Sequence, residues 1–108
     1  MEESQAVRAL AALAHPSRLR IFRALVVAGS LGATPGDLSQ TLALPNATLS
    51  FHLKELLHSH LVSQQRISRN LIYRVQFDQM NALLGYLTEN CCEGSSACIQ
   101  IAPATCDG

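Results

Sequence analysis

The sequence lacks several features that define large classes of protein. No apolar run reaches the roughly 18 residues that a membrane span needs. The N-terminus, with Glu2, Glu3 and Pro16, lacks the basic and apolar regions of a signal peptide. Only 15% of the residues are charged and 48% are hydrophobic, so that the 108 residues can form the core of one domain. We therefore expect a single soluble domain in the cytoplasm, with no membrane partner.

Groups that would support catalysis are also missing. No Gly-rich segment that would cradle a phosphate or an oxyanion precedes any cysteine, and no paired acid and base groups are visible. A small thiol enzyme, such as a reductase, would need an activated cysteine in a formed pocket. We therefore expect a protein that is not an enzyme and that uses no organic cofactor.

Charge and cysteine are unevenly distributed, although the formal net charge is zero. Residues 1–77 hold all eight Lys and Arg against four acids, a net charge of +4, whereas residues 78–108 hold four acids and no base, a net charge of −4. This asymmetry indicates a polyanion-binding face in the first segment. All four cysteines lie from Cys91 onward. In a reducing compartment, clustered cysteines bind soft metals or sense redox state more often than they form structural disulfides.

Hydrophobic periodicity and turn residues predict five helices and a β-hairpin. Val7, Leu10 and Ala14 predict a first amphipathic helix over residues 4–14, and Pro16 starts a second helix that Gly29 ends. A third helix is capped by Thr34 and reaches Leu42, and a fourth runs from Asn46 to about Ser59 with Leu49, Leu53, Leu56 and Leu57 inward. Two strands, from Leu61 to Ile67 and from Leu71 to Phe77, flank a turn at residues 68–70. A last helix begins at about Asp78, and its apolar stripe of Met80, Leu83, Leu84 and Leu87 continues to Cys91.

Two segments of this pattern are specific. One contains His-Pro-x-Arg at His15–Arg18, and the other contains Ser-x-His-Leu-x-x-Leu at Ser50–Leu56. In this order and spacing, and followed by Leu61-Val62 and Tyr73, they resemble the ArsR/SmtB family of metal-responsive repressors over roughly residues 5–90. The resemblance implies a mainly α fold with a small β-hairpin (α+β), namely a winged helix-turn-helix. It also implies a homodimer, paired through its first and last helices, that occupies double-stranded operator DNA until an inducer binds.

In this arrangement, residues 1–92 form the DNA-binding and dimerisation domain, and residues 93–108 form a flexible tail. The family usually ends its recognition helix with Gly, where this chain has His60. Because His is among the residue types that tolerate a left-handed conformation, we expect the turn to be kept.

The resemblance implies that the fourth helix is the recognition helix, and we expect short polar side chains on its outer face to reach base edges in the major groove. Three arginines on the hairpin are expected to meet phosphate or the minor groove. Phe51 either contacts a thymine methyl or packs against the hairpin, and His52 is expected to orient the helix through a hydrogen bond rather than to read bases. The candidate DNA-binding residues are Thr48, Ser50, Phe51, His52, Lys54, Arg66, Arg69 and Arg74.

Two metal sites of the family are absent. The third helix starts Thr-Pro-Gly-Asp-Leu-Ser instead of Cys-x-Cys-Asp-Leu-Cys, and residues 78–90 contain no His. What remains is Cys91, Cys92 and Cys98, with a Gly94-Ser95-Ser96 segment that can fold the third thiol back. Three thiolates without a nearby His suit trivalent arsenic or antimony better than zinc or other transition metals.

The sequence therefore predicts an arsenite-responsive repressor of arsenical-resistance genes, with As(III) or Sb(III) as the inducer and Cys91, Cys92 and Cys98 as its ligands. Adjacent cysteines on a helix point about 100° apart, so joint ligation would require the helix to loosen over residues 90–93 and could change the dimer. The role of Cys106 stays open. Three alternatives remain: a redox sensor that forms a disulfide to Cys98, a repressor responsive to cadmium, lead or zinc, and a winged helix without an inducer.

Overall fold

The computed structural model describes residues 1–89 and contains five α-helices and one antiparallel hairpin within that range. The elements are α1 (Glu3–Leu13), α2 (Pro16–Ala28), α3 (Pro35–Leu42), α4 (Asn46–His58), β1 (Val62–Ile67), β2 (Asn70–Val75) and α5 (Phe77–Leu87), with a 3-10 turn at Gly29–Leu31. The predicted fold class and element order are confirmed. The hairpin turn is shorter than predicted, because Asn70 already pairs with Ile67 and only Ser68 and Arg69 lie between the strands.

Local side-chain hydrogen bonds fix where the helices begin. His15 accepts a hydrogen bond through Nδ1 from the backbone N–H of Ser17 at 3.1 Å, which caps α2. Thr34 Oγ1 accepts from the Asp37 backbone N–H at 3.1 Å, and Asp37 Oδ2 accepts from the Thr34 backbone N–H at 3.3 Å. These reciprocal bonds satisfy backbone donors that the first turn of α3 would leave free, which confirms the predicted cap.

Helix α4 supplies much of the core. Leu49, Leu53 and Leu56 are almost completely buried, together with Ile21 and Leu25 of α2. Leu57 is only partly buried, so the predicted inward face is one residue narrower. Because α4 packs against α1, α2, α3 and β1, its orientation is set from several sides.

The turn after α4 keeps its geometry without glycine. His60 adopts a left-handed conformation with φ of 66°, as predicted, and its N–H bonds to the Leu57 carbonyl at 3.0 Å. Ser59 is buried, and its hydroxyl donates to the Leu56 carbonyl at 2.8 Å and accepts from the Leu61 N–H at 3.3 Å. These bonds direct the chain from α4 into the hairpin.

Helix α1 buries a face of small residues. Ala6, Ala9 and Ala12 are buried, whereas Val7 and Leu10, which the hydrophobic pattern selects, are exposed. Alanine allows a close approach of α1 to α2, α4 and α5, which are its packing partners. The apolar stripe of Val7 and Leu10 is therefore left on the surface.

The hairpin is attached to the helices through a short backbone bridge. Ala33 and Tyr73 exchange N–H to carbonyl hydrogen bonds of 3.0 and 2.8 Å. Gly32, just before the bridge, has φ of 68°, and a Cβ at this position would lie 2.6 Å from the Tyr73 carbonyl oxygen. Only glycine fits this close approach.

The last described helix ends before the cysteines. The backbone N–H of Thr88 bonds to the carbonyl of Leu84, the N–H of Glu89 bonds to the carbonyl of Tyr86, and the Thr88 hydroxyl donates to the Leu84 carbonyl at 2.9 Å. Helix α5 ends at Leu87, so the predicted continuation of the helix is not seen at residues 88 and 89. Cys91 itself lies outside the described residues. Among the helices of residues 1–89, none is long and apolar enough to cross a membrane.

Candidate nucleic-acid interface

Helices α3 and α4 form a helix-turn-helix with a defined turn. Ala43 takes a left-handed conformation with φ of 56° after the last residue of α3. The Leu44 N–H bonds to the Ser39 carbonyl at 3.1 Å, and the Ser39 hydroxyl donates to the Leu44 carbonyl at 2.6 Å. This pair of bonds locks the angle at which α4 leaves the turn.

The outer face of α4 carries four of the predicted contact residues. Thr48, Ser50, Phe51 and Lys54 are all exposed, while the leucines between them point into the core. Thr48, Phe51 and Lys54 follow one another at intervals of three residues, which places them on one side of the helix. The structure thus brings the predicted polar, aromatic and cationic groups together on a face that no other element of the described chain covers.

His52 does not belong to this face, and its assignment as a DNA contact is corrected. It is only 5% exposed, and its Nδ1 accepts a hydrogen bond from Nε of Arg18 at 3.2 Å. The His15 ring lies 4.5 Å away, centroid to centroid. Burial lowers the pKa of His52 below its ordinary 6.5, the neighbouring His15 and Arg18 lower it further, and Glu55 acts in the opposite direction. The residue therefore serves packing and orientation, the role that its place at the apolar edge predicts.

The surroundings of Phe51 agree in part with each of its two predicted roles, contact with a thymine methyl and packing against the hairpin. Its side chain is 54% exposed, and its ring centroid lies 5.5 Å from that of His52 in an edge-on arrangement. It also borders a groove whose other wall includes Leu71 and Tyr73 of β2. The ring thus borders the groove towards the hairpin while more than half of the side chain stays exposed.

The three predicted hairpin arginines differ in their surroundings. Arg66 and Arg69 are exposed on β1 and at the hairpin tip. Arg74 is partly buried, and its Nε donates to the Ser30 carbonyl at 2.8 Å while Nη1 donates to Gln65 Oε1 at 2.7 Å. Nε thus holds the hairpin to the turn after α2, and the contact of Arg74 with DNA stays a prediction.

A second surface consists of exposed apolar side chains on α1 and α5, which pack against each other. Val7, Leu10, Leu84 and Leu87 are 58%, 42%, 39% and 53% exposed. We call these four residues the α1/α5 surface. Isolated exposed aliphatic residues are common, but several on adjacent helices indicate an interaction site.

The predicted metal ligands Cys91, Cys92 and Cys98 lie outside the described residues. Within residues 1–89, no three His, Cys, Asp or Glu side chains lie close enough together to hold a metal ion. The described part of the chain therefore positions the exposed outer face of α4 and the α1/α5 surface, and the thiol site remains an inference from sequence.

Sequence reasoning assigned no role to Arg18, which connects α2 to α4. The residue is the last of the His-Pro-x-Arg segment, so the motif marked it, but its partner His52 lies 34 positions away. No local pattern in a sequence identifies a side-chain pair at that separation.

Known proteins share the sequence pattern of this region. A family model described as a helix-turn-helix domain matches residues 13–65. The chain is 30% identical over 88 residues to the HTH-type transcriptional regulator YgaV of Escherichia coli strain K12, an alignment that covers 82% of this chain and 87% of that protein.

Solved structures share the fold. An ArsR-like transcriptional regulator from Rhodococcus sp. RHA1 matches with a TM-score of 0.74 at 22% identity, covering 83% of this chain and 82% of that one. The homodimeric winged helix-turn-helix DNA-binding domain of Mb0332 from Mycobacterium bovis, a possible ArsR-family transcriptional regulator, matches with a TM-score of 0.65 at 24% identity, covering 86% of each chain.

Proposed function

This chain belongs to the ArsR-like family of winged helix-turn-helix transcriptional regulators, and we propose that it is an operator-binding repressor that trivalent arsenic or antimony releases from DNA. The observation that carries the proposal is the exposed outer face of α4, formed by Thr48, Ser50, Phe51 and Lys54. A recognition helix presents such a face to the major groove. Operator binding of this kind would take place in the cytoplasm.

On DNA, α4 would supply specificity and the hairpin would supply affinity. Thr48 and Ser50 carry hydroxyls that bond to base edges, and Phe51 offers an apolar surface to a thymine methyl. Lys54, Arg66 and Arg69 carry positive charge that neutralises phosphates, a contribution that falls as the salt concentration rises.

Two subunits would join through the α1/α5 surface. The four exposed aliphatic residues that define it would be removed from water in a symmetric dimer. The relative Mb0332, which has the same fold, is described as homodimeric. In a dimer the two recognition helices meet half-sites about one helical turn of DNA apart, on the order of 34 Å.

The inducer part rests on the donor set in the sequence. Cys91, Cys92 and Cys98 would supply three thiolates from one short stretch, and three sulfur ligands match the coordination that As(III) and Sb(III) prefer. Because this stretch follows α5 directly, ligation there would act next to the α1/α5 surface and lower the affinity of the dimer for its operator.

Fluorescence anisotropy of the reduced protein on DNA from upstream of its own gene tests the proposal. We expect arsenite to release the DNA at one equivalent per subunit, and we expect Cys91→Ser, Cys92→Ser and Cys98→Ser each to bind DNA but to ignore arsenite. Cys106→Ser is the matched control and should respond as the natural chain does.

Three other outcomes would contradict parts of the proposal. Release by peroxide but not by arsenite would make the protein a redox sensor, and release by cadmium, lead or zinc alone would replace the metalloid. An absence of DNA binding under all conditions would overturn the operator assignment.

A separate comparison tests the DNA-contacting face. Lys54→Met should weaken operator binding and reduce the slope of log K against log salt by about one, the value for one lost phosphate contact. Arg23→Met removes the same charge from an exposed position on α2 and should leave that slope unchanged. Equal effects of the two variants would contradict the assignment of α4 to the DNA.

A further inference from the structure

A chain of hydrogen bonds joins three helices behind the outer face of α4. Arg18 of α2 donates from Nε to Nδ1 of His52 on α4 at 3.2 Å and from Nη1 to the Ala12 carbonyl of α1 at 3.5 Å. His52 is almost completely buried, while Arg18 is only partly buried. Arg18 is therefore fixed at both ends of its guanidinium group.

The same guanidinium group lies against the DNA-facing side of the helix. Its central carbon is 5.9 Å from the centroid of the Phe51 ring, within the range of a cation–π contact. Phe51 also meets His52 edge-on. The Arg18–His52 pair thus contacts the one aromatic side chain on the outer face of α4 from behind.

The Arg18 bond requires a neutral His52. Because Nε–H of Arg18 is a donor, Nδ1 of His52 must be an unprotonated acceptor, and the ring proton lies on Nε2. A second proton on Nδ1 would place two donors and two positive charges 3.2 Å apart. Protonation would therefore break this bond.

The surroundings of His52 favour the neutral form. The groups that act on it are His15 before α2, Arg18 on α2 and Glu55 on α4, and Glu55 alone favours the charged form. Arg8 of α1 lines the same groove as Arg18 and Glu55. From α3 and β1, the buried side chains are the apolar Leu38 and Val62.

We propose that Arg18 is a positioning residue for the recognition helix, which it holds through the acceptor nitrogen of a neutral His52, and that operator affinity falls when His52 is protonated. This inference rests on the proposed operator binding by α4 and adds a residue to it that does not touch DNA. Arg18 acts by fixing the rotation of α4 and the position of the Phe51 ring.

Operator affinity of paired variants tests the positioning role. Arg18→Met and His52→Leu should each weaken binding by about tenfold or more at pH 7.5, the effect of one lost charge-assisted hydrogen bond. The double variant should be no weaker than either single variant, because both changes remove the same bond. Arg20→Met, which removes an equal charge from an exposed site on α2, should change affinity by less than about threefold. Additive effects of the two single variants would overturn the proposal.

The salt dependence separates positioning from direct phosphate contact. A positioning residue should leave the slope of log K against log salt unchanged in Arg18→Met, whereas loss of a phosphate contact lowers the slope by about one. A lowered slope would make Arg18 a DNA contact and would overturn the positioning role.

The dependence of operator affinity on pH tests the protonation of His52, because a purely structural role of the residue would not change that dependence. His52→Asn places an acceptor oxygen near the position of Nδ1 but has no titratable ring, so it should restore most of the affinity that His52→Leu loses. Between pH 7.5 and 5.5 the natural chain should lose affinity severalfold relative to His52→Asn, within the limit of about tenfold per pH unit for one proton. Equal profiles, or a gain for the natural chain, would overturn the proposal.

His15 requires its own control because its ring lies beside His52. His15→Asn keeps an N-cap acceptor without a titratable ring, and it should retain the pH dependence of the natural chain. If that dependence disappeared in His15→Asn and persisted in His52→Asn, the wrong histidine would have been assigned.

A measurement without DNA keeps this test separate from the operator assignment. In ¹⁵N-edited NMR spectra of the free protein, Nδ1 of His52 should show the shift of an unprotonated acceptor at pH 7.5, and Arg18→Met should change that shift. A proton on Nδ1 at this pH would overturn the positioning proposal even if DNA binding were established.

Discussion

Nε of Arg74 donates a hydrogen bond to the carbonyl oxygen of Ser30 at 2.8 Å, so that an arginine of the hairpin closes onto the turn after α2. Its Nη1 bonds to Gln65 on the facing strand. Arg66 and Arg69 on the same hairpin are exposed. Three arginines that look equivalent in the sequence thus fall into two groups, one that bonds within the chain and one with exposed side chains.

Arg74→Met should lower the free energy of unfolding by about 1 kcal/mol, because two hydrogen bonds at a partly exposed site are lost. Arg69→Met should change stability by less than about 0.5 kcal/mol but should reduce the salt slope of operator binding by about one. Urea denaturation and anisotropy at several salt concentrations measure the two quantities. The opposite pattern would reverse the two assignments.

Gly32→Ala should destabilise the fold by about 2 kcal/mol or more, since the added Cβ would lie 2.6 Å from the Tyr73 carbonyl oxygen at a positive φ. Gly36→Ala is the matched control. Its Cβ would meet nothing closer than 3.8 Å, and alanine favours the helix, so stability should stay equal or rise. Thermal unfolding of the two variants tests this prediction. Equal melting temperatures would contradict the close approach of residue 32 to the Tyr73 carbonyl.

Leu10→Glu and Leu87→Glu should each produce a monomer, because a carboxylate in an apolar interface loses its water. Val27→Glu introduces the same charge at an exposed apolar residue of α2 and should leave the dimer intact. Sedimentation equilibrium at micromolar concentration measures the result. Loss of the dimer in Val27→Glu alone would move the interface to α2.

Burial raises the pKa of the Tyr73 phenol above its ordinary value of 10.0. The unfolded chain therefore releases this proton at a lower pH than the folded chain does. The stability that results is fully present below about pH 10 and is lost as the pH rises through the folded pKa. Urea unfolding between about pH 9 and 11 should show a steeper loss for the natural chain than for Tyr73→Phe. Parallel curves would show that Tyr73 is not responsible.

Features set by neighbouring residues in the chain could be predicted from sequence. The cap formed by Thr34 and Asp37, the helix end at Gly29 and the left-handed His60 all follow from local bonds or from backbone sterics. The recognition helix could be placed as well, because its buried leucines recur with the period of a helix.

Features set by distant partners could not be predicted. Periodicity identifies an apolar stripe on α1 but does not say whether it meets the same subunit or another molecule. The face that is buried in the chain consists of Ala6, Ala9 and Ala12, whose hydrophobic signal is weak. The bonds from Arg18 to His52 and from Arg74 to Ser30 join residues 34 and 44 positions apart, and only the folded backbone brings them together.

The packing of α4 limits how this protein can be regulated. Leu49, Leu53 and Leu56 are sealed against four neighbouring elements, and a close-packed interior resists sliding of one helix past the rest. An effector therefore gains little by sliding the recognition helix past its neighbours, and the Arg18–His52 bond adjusts only the rotation of α4 and the Phe51 ring. Each subunit would move as a rigid body instead, and an effector would change the distance between the two recognition helices of the dimer.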